Sequence, residues 1–369
     1  MKRTVRIFAF GGNEVAPVGE IDPKTGKPVA PGIPLQWQKT ARTCRFVADI
    51  VEKHPLDSFI LTHGNGPQVG NIFLRSEYSR PILPPLPLDV CGADTQGAMA
   101  YMLGQLDSEL RMRGIDRKTC GVITQVVVDE NDPDFKTPSK FIGPSYTKEK
   151  AHEFAKTEGW VVKLYKKDAR GGEIWRKVVP SPVPKYIAEL DGVQAVLDAG
   201  MIPITVGGGG IPVVEVRPEI KDREEIYRAG YGVVFRRKHK PGVAPAIVYR
   251  GVEAVVDKDL ASALLGASLM KTARARGHEI NVSLTIFTGE DGAKLNYQQP
   301  DQVDLRRLTL KEAQELYERK PCPFPAGSMG PKIKAAIEFV KNGGSIAYIT
   351  KTELFEETLK GKAGTTVTP

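Results

Sequence analysis

Phe59-Ile60-Leu61-Thr62-His63-Gly64-Asn65-Gly66-Pro67-Gln68-Val69-Gly70 is the stretch whose reading decides the fold. Phe59 to Leu61 form a short apolar run suited to a buried strand. Gly64 and Gly66 break it, and Val69, Ile72 and Phe73 resume apolar residues at helical spacing. The reading is a strand, a tight glycine turn and a helix start. Such a turn aims backbone N–H groups, reinforced by the helix dipole, at a negative ligand. A single Gly-x-Gly reads equally well as an ordinary strand-to-helix loop. The pattern recurs, however. Phe8-Ala9-Phe10-Gly11-Gly12-Asn13 and Ile204-Thr205-Val206-Gly207-Gly208-Gly209-Gly210-Ile211-Pro212 also end apolar runs in glycine. Three such turns imply strand ends converging on one phosphate-sized ligand.

The 369 residues are enough for one large α/β unit with a substantial core, and 41% hydrophobic and 26% charged residues are ordinary for a soluble protein. A net charge of +8 favours anionic partners. The basic residues are spread out, without the Lys/Arg-plus-aromatic clustering of a nucleic-acid groove. Small anionic substrates are therefore expected, and no nucleic acid. Cys44, Cys91, Cys120 and Cys322 are far apart and form no CxxC pair, which fits a reducing compartment better than a disulfide framework. The N-terminal apolar run stops at Gly11, too short for a signal-peptide core, and no run spans a bilayer. A cytoplasmic protein without a membrane partner is expected.

Along the chain, Val5 to Phe10 reads as the first strand and the Pro- and Gly-rich stretch at 17–34 as a surface loop. Helices are expected over 38–53, from the central turn to about Ser79, over 97–113, 188–199 and 331–341, and from Asp257 onward; strands over 121–128, 203–206, 282–287 and, last, 346–349. Residues 129–182 are polar, hold one strand candidate at 160–165, and read as an excursion or lid. The Pro-, Gly- and charge-rich segment 217–250 reads as an exposed insertion. Alternating strands and helices imply a largely parallel sheet with helices on both faces.

The commonest nucleotide signatures are absent. Gly266 to Thr272 ends in Lys-Thr but lacks the glycine before the lysine of a Walker A loop. The four-glycine turn has Pro212 where the third dinucleotide-fingerprint glycine belongs. Two lysines carry more weight. Lys258 opens the helix that begins Asp257-Lys258-Asp259, and Lys332 follows Pro331 in the first turn of another. A cation there meets the positive end of the dipole, at a cost on the order of 0.3–1 kcal/mol. Two such lysines, each beside a compact turn, read as anion ligands, with Asp259 orienting Lys258. On this reading, removing either lysine costs the unliganded fold little. His63 reads as a structural histidine.

The chain resembles the carbamate kinases, of the amino-acid-kinase superfamily, over nearly its whole length. The match is carried by Gly11-Gly12-Asn13, by His63 to Gly70, and by Asp89 to Ala93 with Thr95-Gln96-Gly97. It continues through Lys140 with Ile142-Gly143-Pro144, Gly207 to Pro212 and Gly251 to Asp259, and ends with Asn296-Tyr297 and Gly327-Ser328-Met329 with Pro331-Lys332. The resemblance implies a three-layer αβα sandwich with a small protruding subdomain at about 129–182, a homodimer, and Mg²⁺-dependent phosphoryl exchange between ATP/ADP and carbamate/carbamoyl phosphate. It implies one unit over 1–369, with an acyl-side lobe over about 1–200 and a nucleotide-side lobe over about 201–369. By the same resemblance Gly11, Gly12, Asn13, Gly64, Asn65, Gly66, Gly208 and Gly209 hold the transferred group. Lys140 and Lys258 contact the phosphoryl and Asp259 organises the lysines. Lys332, Gly207, Asn296, Tyr297 and Met329 serve the nucleotide; no protein metal ligand is assigned. Two alternatives remain on the same fold: a kinase of another small carboxylate, and a nucleotide-sensing protein. The second has no need of the retained Lys140, Lys258, Asp259 and Lys332. A dehydrogenase is disfavoured by the broken fingerprint.

Overall fold

A strand covered on both faces must be apolar at nearly every position, and β1 (Arg3–Phe10) meets that condition: Val5 and Ile7 to Phe10 are fully buried. In the computed structural model, residues 3–12, 32–167 and 171–369 are described. Asn13, Glu14 and most of the loop expected at 17–34 lie outside them.

The N-terminal half continues with α1 (Ile33–Lys53), β2 (Ser58–His63), α2 (Gln68–Ser79), α3 (Leu88–Leu103), α4 (Leu106–Met112), β3 (Thr119–Gly121) and β4 (Gln125–Val128). Next come β5 (Lys140–Tyr146), α5 (Lys148–Thr157), β6 (Val162–Lys167), β7 (Glu173–Val179), β8 (Pro184–Ile187), α6 (Leu190–Asp198) and β9 (Ile202–Ile204). After the four-glycine turn follow β10 (Ile211–Val216), β11 (Glu219–Lys221), β12 (Glu224–Arg228), β13 (Val234–Lys238) and β14 (Val248–Gly251). The C-terminal part holds α7 (Lys258–Ala275), β15 (Ile280–Phe287), β16 (Lys294–Leu295), β17 (Val303–Asp304), β18 (Arg307–Thr309) and α8 (Leu310–Glu318). It ends with α9 (Met329–Lys341), β19 (Ile346–Thr350), α10 (Phe355–Leu359) and β20 (Thr365–Thr368).

The main sheet runs β18-β20-β19-β15-β1-β2-β9-β3, and every pair is parallel except β19 with β20. Alternation along β1 divides the core in two. Val5, Ile7 and Ala9 enter one apolar cluster with Ala261, Leu265 and Leu269 of α7 and Ile333, Ala336 and Val340 of α9. Phe8 and Phe10 enter the other, with Cys44, Val47 and Val51 of α1, Met99 and Leu103 of α3, and Phe355. The result is the expected three-layer αβα sandwich.

Several boundaries differ from the sequence reading. α1 begins five residues early, at Ile33, because Pro34 is well placed in a first helical turn. α3 begins at Leu88, and the expected 97–113 helix is two, parted at Gly104, whose N–H closes on Ala100 O at 2.9 Å. The 121–128 strand is also two, in different sheets. Thr124 turns the chain between them, with Oγ1 donating to Val122 O at 2.8 Å and lying 2.7 Å from Thr205 Oγ1. The 129–182 excursion contains not one strand but an antiparallel sheet β5-β7-β6 with α5 beside it. β19 is not last, since β20 returns beside it. The 217–250 segment forms its own sheet β11-β12-β13.

No described residue from 217 to 250 belongs to the apolar clusters of the core. Replacing Lys221–Gly242 by a short Gly/Ser turn is accordingly expected to leave a cooperatively unfolding protein, with a thermal midpoint within a few degrees of the parent. Loss of the cooperative transition by calorimetry would assign the segment to the core.

Candidate active site

At the C-terminal end of the parallel strands, where open α/β sheets bind their ligands, the three glycine turns touch one another. A Cβ on Gly12 would stand 2.2 Å from Gly66 O, and one on Gly64 would stand 2.9 Å from Gly12 N and 3.5 Å from Lys258 Cδ. The third turn closes on the second and on the segment before α7. A Cβ on Gly208 would meet Asn65 Nδ2 at 2.2 Å, and one on Gly209, where φ is +92°, would meet Val256 O at 2.1 Å. Only glycine permits these approaches. The turns enclose a cleft of about 650 Å³ walled by Gly11, Gly12, Gly64, Asn65, Gly66 and Gly208, with Lys140, Lys258, Asp259 and Lys332 around it.

Helix starts supply its polarity. α2 and α9 have no side-chain cap and no acidic residue in the first turn, so the positive ends of their dipoles are uncompensated at the cleft, while the N–H groups of Val69 and Gly330 bond Asn65 O at 2.8 Å and Pro325 O at 2.9 Å. α7 is capped by Asp257, whose Oδ1 accepts from the N–H groups of Asp259 at 2.9 Å and Leu260 at 3.3 Å. Ser262 Oγ donates to Lys258 O at 2.7 Å and lies 2.7 Å from Thr62 Oγ1, fixing the start of α7 against β2.

The charges are shared. Asp259, 3% exposed, accepts from Lys258 Nζ on Oδ1 and from Lys332 Nζ on Oδ2 at 3.0 Å. Burial pushes the Asp259 carboxyl up, but the two ammonium groups outweigh it and hold it below the ordinary carboxylate range. Burial also pushes Lys258 down, opposed by Asp259 and aided by Lys332. Each lysine supplies one of the two ion pairs of Asp259, and with either lysine removed the carboxylate keeps the other. His63 is structural: Nδ1–H donates to Gly64 O at 2.9 Å, and burial, first, lowers its pKa to about 4.

Of the other sequence-derived residues, Lys140 stands exposed at the start of β5 and faces the same cleft. Gly207 and Gly209 are buried behind the wall, Gly207 against the His63 ring, and Met329 is buried at the start of α9. Asn296 and Tyr297 sit on the turn between β16 and β17, bonded to Asp301 and Glu290 and off the cleft wall. Asn13 is outside the described residues. Sequence reasoning missed Arg176, a cleft residue on β7 whose Nη2 donates to Gly143 O at 2.7 Å. Alternation in β7 was its only signal, and β7 was not read as a strand.

No family model matches the chain. The chain is 39% identical over 336 residues to a carbamate kinase of Pyrococcus horikoshii, covering 90% of this chain and 91% of that one. It is 38% identical to a carbamate kinase of Thermococcus kodakarensis over 100% of this chain and 99% of the relative. Among solved structures, carbamate kinase from Giardia lamblia bound to AMP-PNP superposes with a TM-score of 0.75 at 31% identity, covering 99% and 98% of the two chains.

The glycine contacts generate a paired test. Gly12→Ala drives a methyl into Gly66 O and should lower both thermal stability and turnover, whereas Gly66→Ala meets nothing within 4 Å. The second variant is expected to melt like the parent while binding anions more weakly. Equal melting temperatures for the two, by differential scanning fluorimetry, would contradict the close approach of the turns.

Proposed function

The chain belongs to the carbamate kinase family, and from that membership we propose how its cleft performs the reaction. The activity is reversible phosphoryl transfer between ATP and carbamate, giving ADP and carbamoyl phosphate. The observation that carries the assignment of residues is the Lys258–Asp259–Lys332 bridge set into a cleft of glycine turns and open helix starts.

Phosphoryl transfer passes through a loose transition state and needs positioning and charge neutralisation rather than a protein nucleophile. A carbamate oxygen attacks the γ-phosphorus as the bond to the ADP oxygen breaks, and the carbamate anion requires no general base. The turns at Gly11-Gly12 and Gly64-Asn65-Gly66, with Gly208, wall the space of the moving phosphoryl, and Gly209 backs them from the core, with the N–H groups of Gly64 and Gly209 bonded to Phe10 O at 3.0 Å and Val206 O at 3.1 Å. Lys258 approaches the phosphoryl from the helix start, Lys140 from the protruding sheet, and both stabilise its equatorial oxygens. Lys332 and the N-terminus of α9 hold the nucleotide phosphates. Asp259 holds the two lysine ammonium groups in place by accepting a bond from each. Gly207 and Met329 back the nucleotide side from within the core. Asn296 and Tyr297 serve its base end, supported by the Tyr297 bond to Glu290, the neighbour of cleft residue Gly289.

We assign Mg²⁺ to the nucleotide rather than to a protein cage. The buried carboxylate of the cleft, Asp259, already carries two lysines. Mg²⁺ carried by the nucleotide would supply charge neutralisation during the transfer. The half of the chain up to about residue 200, with the protruding subdomain at about 129–182, is the acyl side; residues from about 201 onward form the nucleotide side. A homodimer is supported by the exposed apolar side chains Tyr78, Ile82, Leu83 and Tyr101 around α2 and α3. Cytoplasmic residence is supported by four free cysteines.

With ADP, Mg²⁺ and carbamoyl phosphate the protein is expected to form ATP. Lys258→Ala and Lys140→Ala should each lower kcat roughly 10²-fold or more, and Lys332→Ala should chiefly raise the KM for ADP. A luciferase-coupled assay checks all three. ATP consumption with a different carboxylate and none with carbamate would move the assignment to another acyl acceptor.

A further inference from the structure

β7 carries two cations with opposite duties. Arg176 reaches the cleft, and its neighbour Lys177 points to the other face of the strand, as alternation requires. Lys177 is 4% exposed and is not on the cleft wall. Its ammonium lies 5.0 Å from the ring centre of Phe73 on α2 and 4.7 Å from that of Trp160, which precedes β6. Its hydrogen-bonding counter-charge is Glu253, 76 residues away, in the loop that runs from β14 into Asp257 and Lys258. A buried ammonium is costly unless paired, and here two ring faces and one carboxylate compensate it.

The partners lie on the segments that deliver the two phosphoryl lysines. Lys177 pairs in register with Ile142, two residues beyond Lys140 on β5. Glu253 stands five residues before Lys258. The same junction is closed by Val255 N–H donating to Pro180 O at 3.0 Å, and by Gly143 set against Phe73, where an added Cβ would lie 3.2 Å from the ring. We propose that Lys177 is a positioning residue for phosphoryl transfer: its ion pair with Glu253 ties the protruding sheet to the loop before α7 and so sets Lys140 opposite Lys258. The proposal rests on the reading of Lys140 and Lys258 as the phosphoryl cations. Lys177 and Glu253 touch no substrate themselves. Their loss acts through Lys140, and displacement by about an ångström is enough to cost up to about 10²-fold in rate.

The test uses Lys177→Met, which fills the slot between the rings without charge, and Glu253→Gln, whose half-exposed site folds even if the first variant does not. Both are made in the parent and in the Lys140→Ala background. Each should lower kcat/KM for carbamoyl phosphate about 10- to 100-fold with the KM for ADP unchanged. In the Lys140→Ala background the further loss should shrink to about threefold or less, because residues acting through one another are non-additive. Parent-like kcat/KM in Glu253→Gln, or an undiminished further loss in the Lys140→Ala background, overturns the tie. If Lys140→Ala alone turns over normally, the reading of Lys140 falls and takes the tie with it. If Lys140→Ala is impaired while Glu253→Gln is normal, only the tie falls.

Discussion

One buried carboxylate shared by two ammonium groups is the constraint on which the site depends. Lys258 and Lys332 come from the first turns of α7 and α9, helices on the same face of the sheet, and neither belongs electrostatically at a helix start. Asp259 makes the placement tenable by accepting from both. The trio keeps a surplus positive charge in a cleft walled by glycine turns and helix starts. That surplus is best met by a phosphate, which is why the same geometry serves binding and transfer.

The glycine turns make that charge usable. Gly12 against Gly66 and Gly208 against Asn65, they bring three strand ends closer than any added side chain permits. The carriers of these turns are buried on both faces, so the N–H groups are held by the core rather than by mobile loops. Preorganisation of this kind suits a reaction whose transition state gains charge stabilisation rather than covalent help.

Much of this was legible in the sequence because it is local. A strand that ends in Gly-Gly-Asn or Gly-Asn-Gly carries its own turn chemistry, and Asp257-Lys258-Asp259 displays a cap, a cation and its counter-charge in three residues. What stayed hidden depends on distance in the chain. The 121–128 run is continuously apolar through Val122 and Ile123, and only the Thr124 bonds to the Thr205 region reveal that it serves two sheets. The protruding sheet has exposed lysines at 163, 166 and 167, so its period-2 signal is weak and only one of its strands was read. The sharing of Asp259 with Lys332, 73 residues on, was equally invisible.

The most direct test of the central constraint is the stability of unliganded Asp259→Asn against pH. Asp259 titrates lower in the folded than in the unfolded protein. Its stabilisation is therefore complete above the unfolded carboxylate value of about 3.9 and is lost as pH falls through the folded value. Chemical denaturation at pH 7 should show the variant less stable by about 3–5 kcal/mol, the size expected for a buried pair broken on one side. The gap should narrow on acidification, and added inorganic phosphate should restore part of it at pH 7. An Asp259→Asn protein as stable as the parent at pH 7, with no narrowing at low pH, would contradict the claim that this carboxylate holds the two lysines in place.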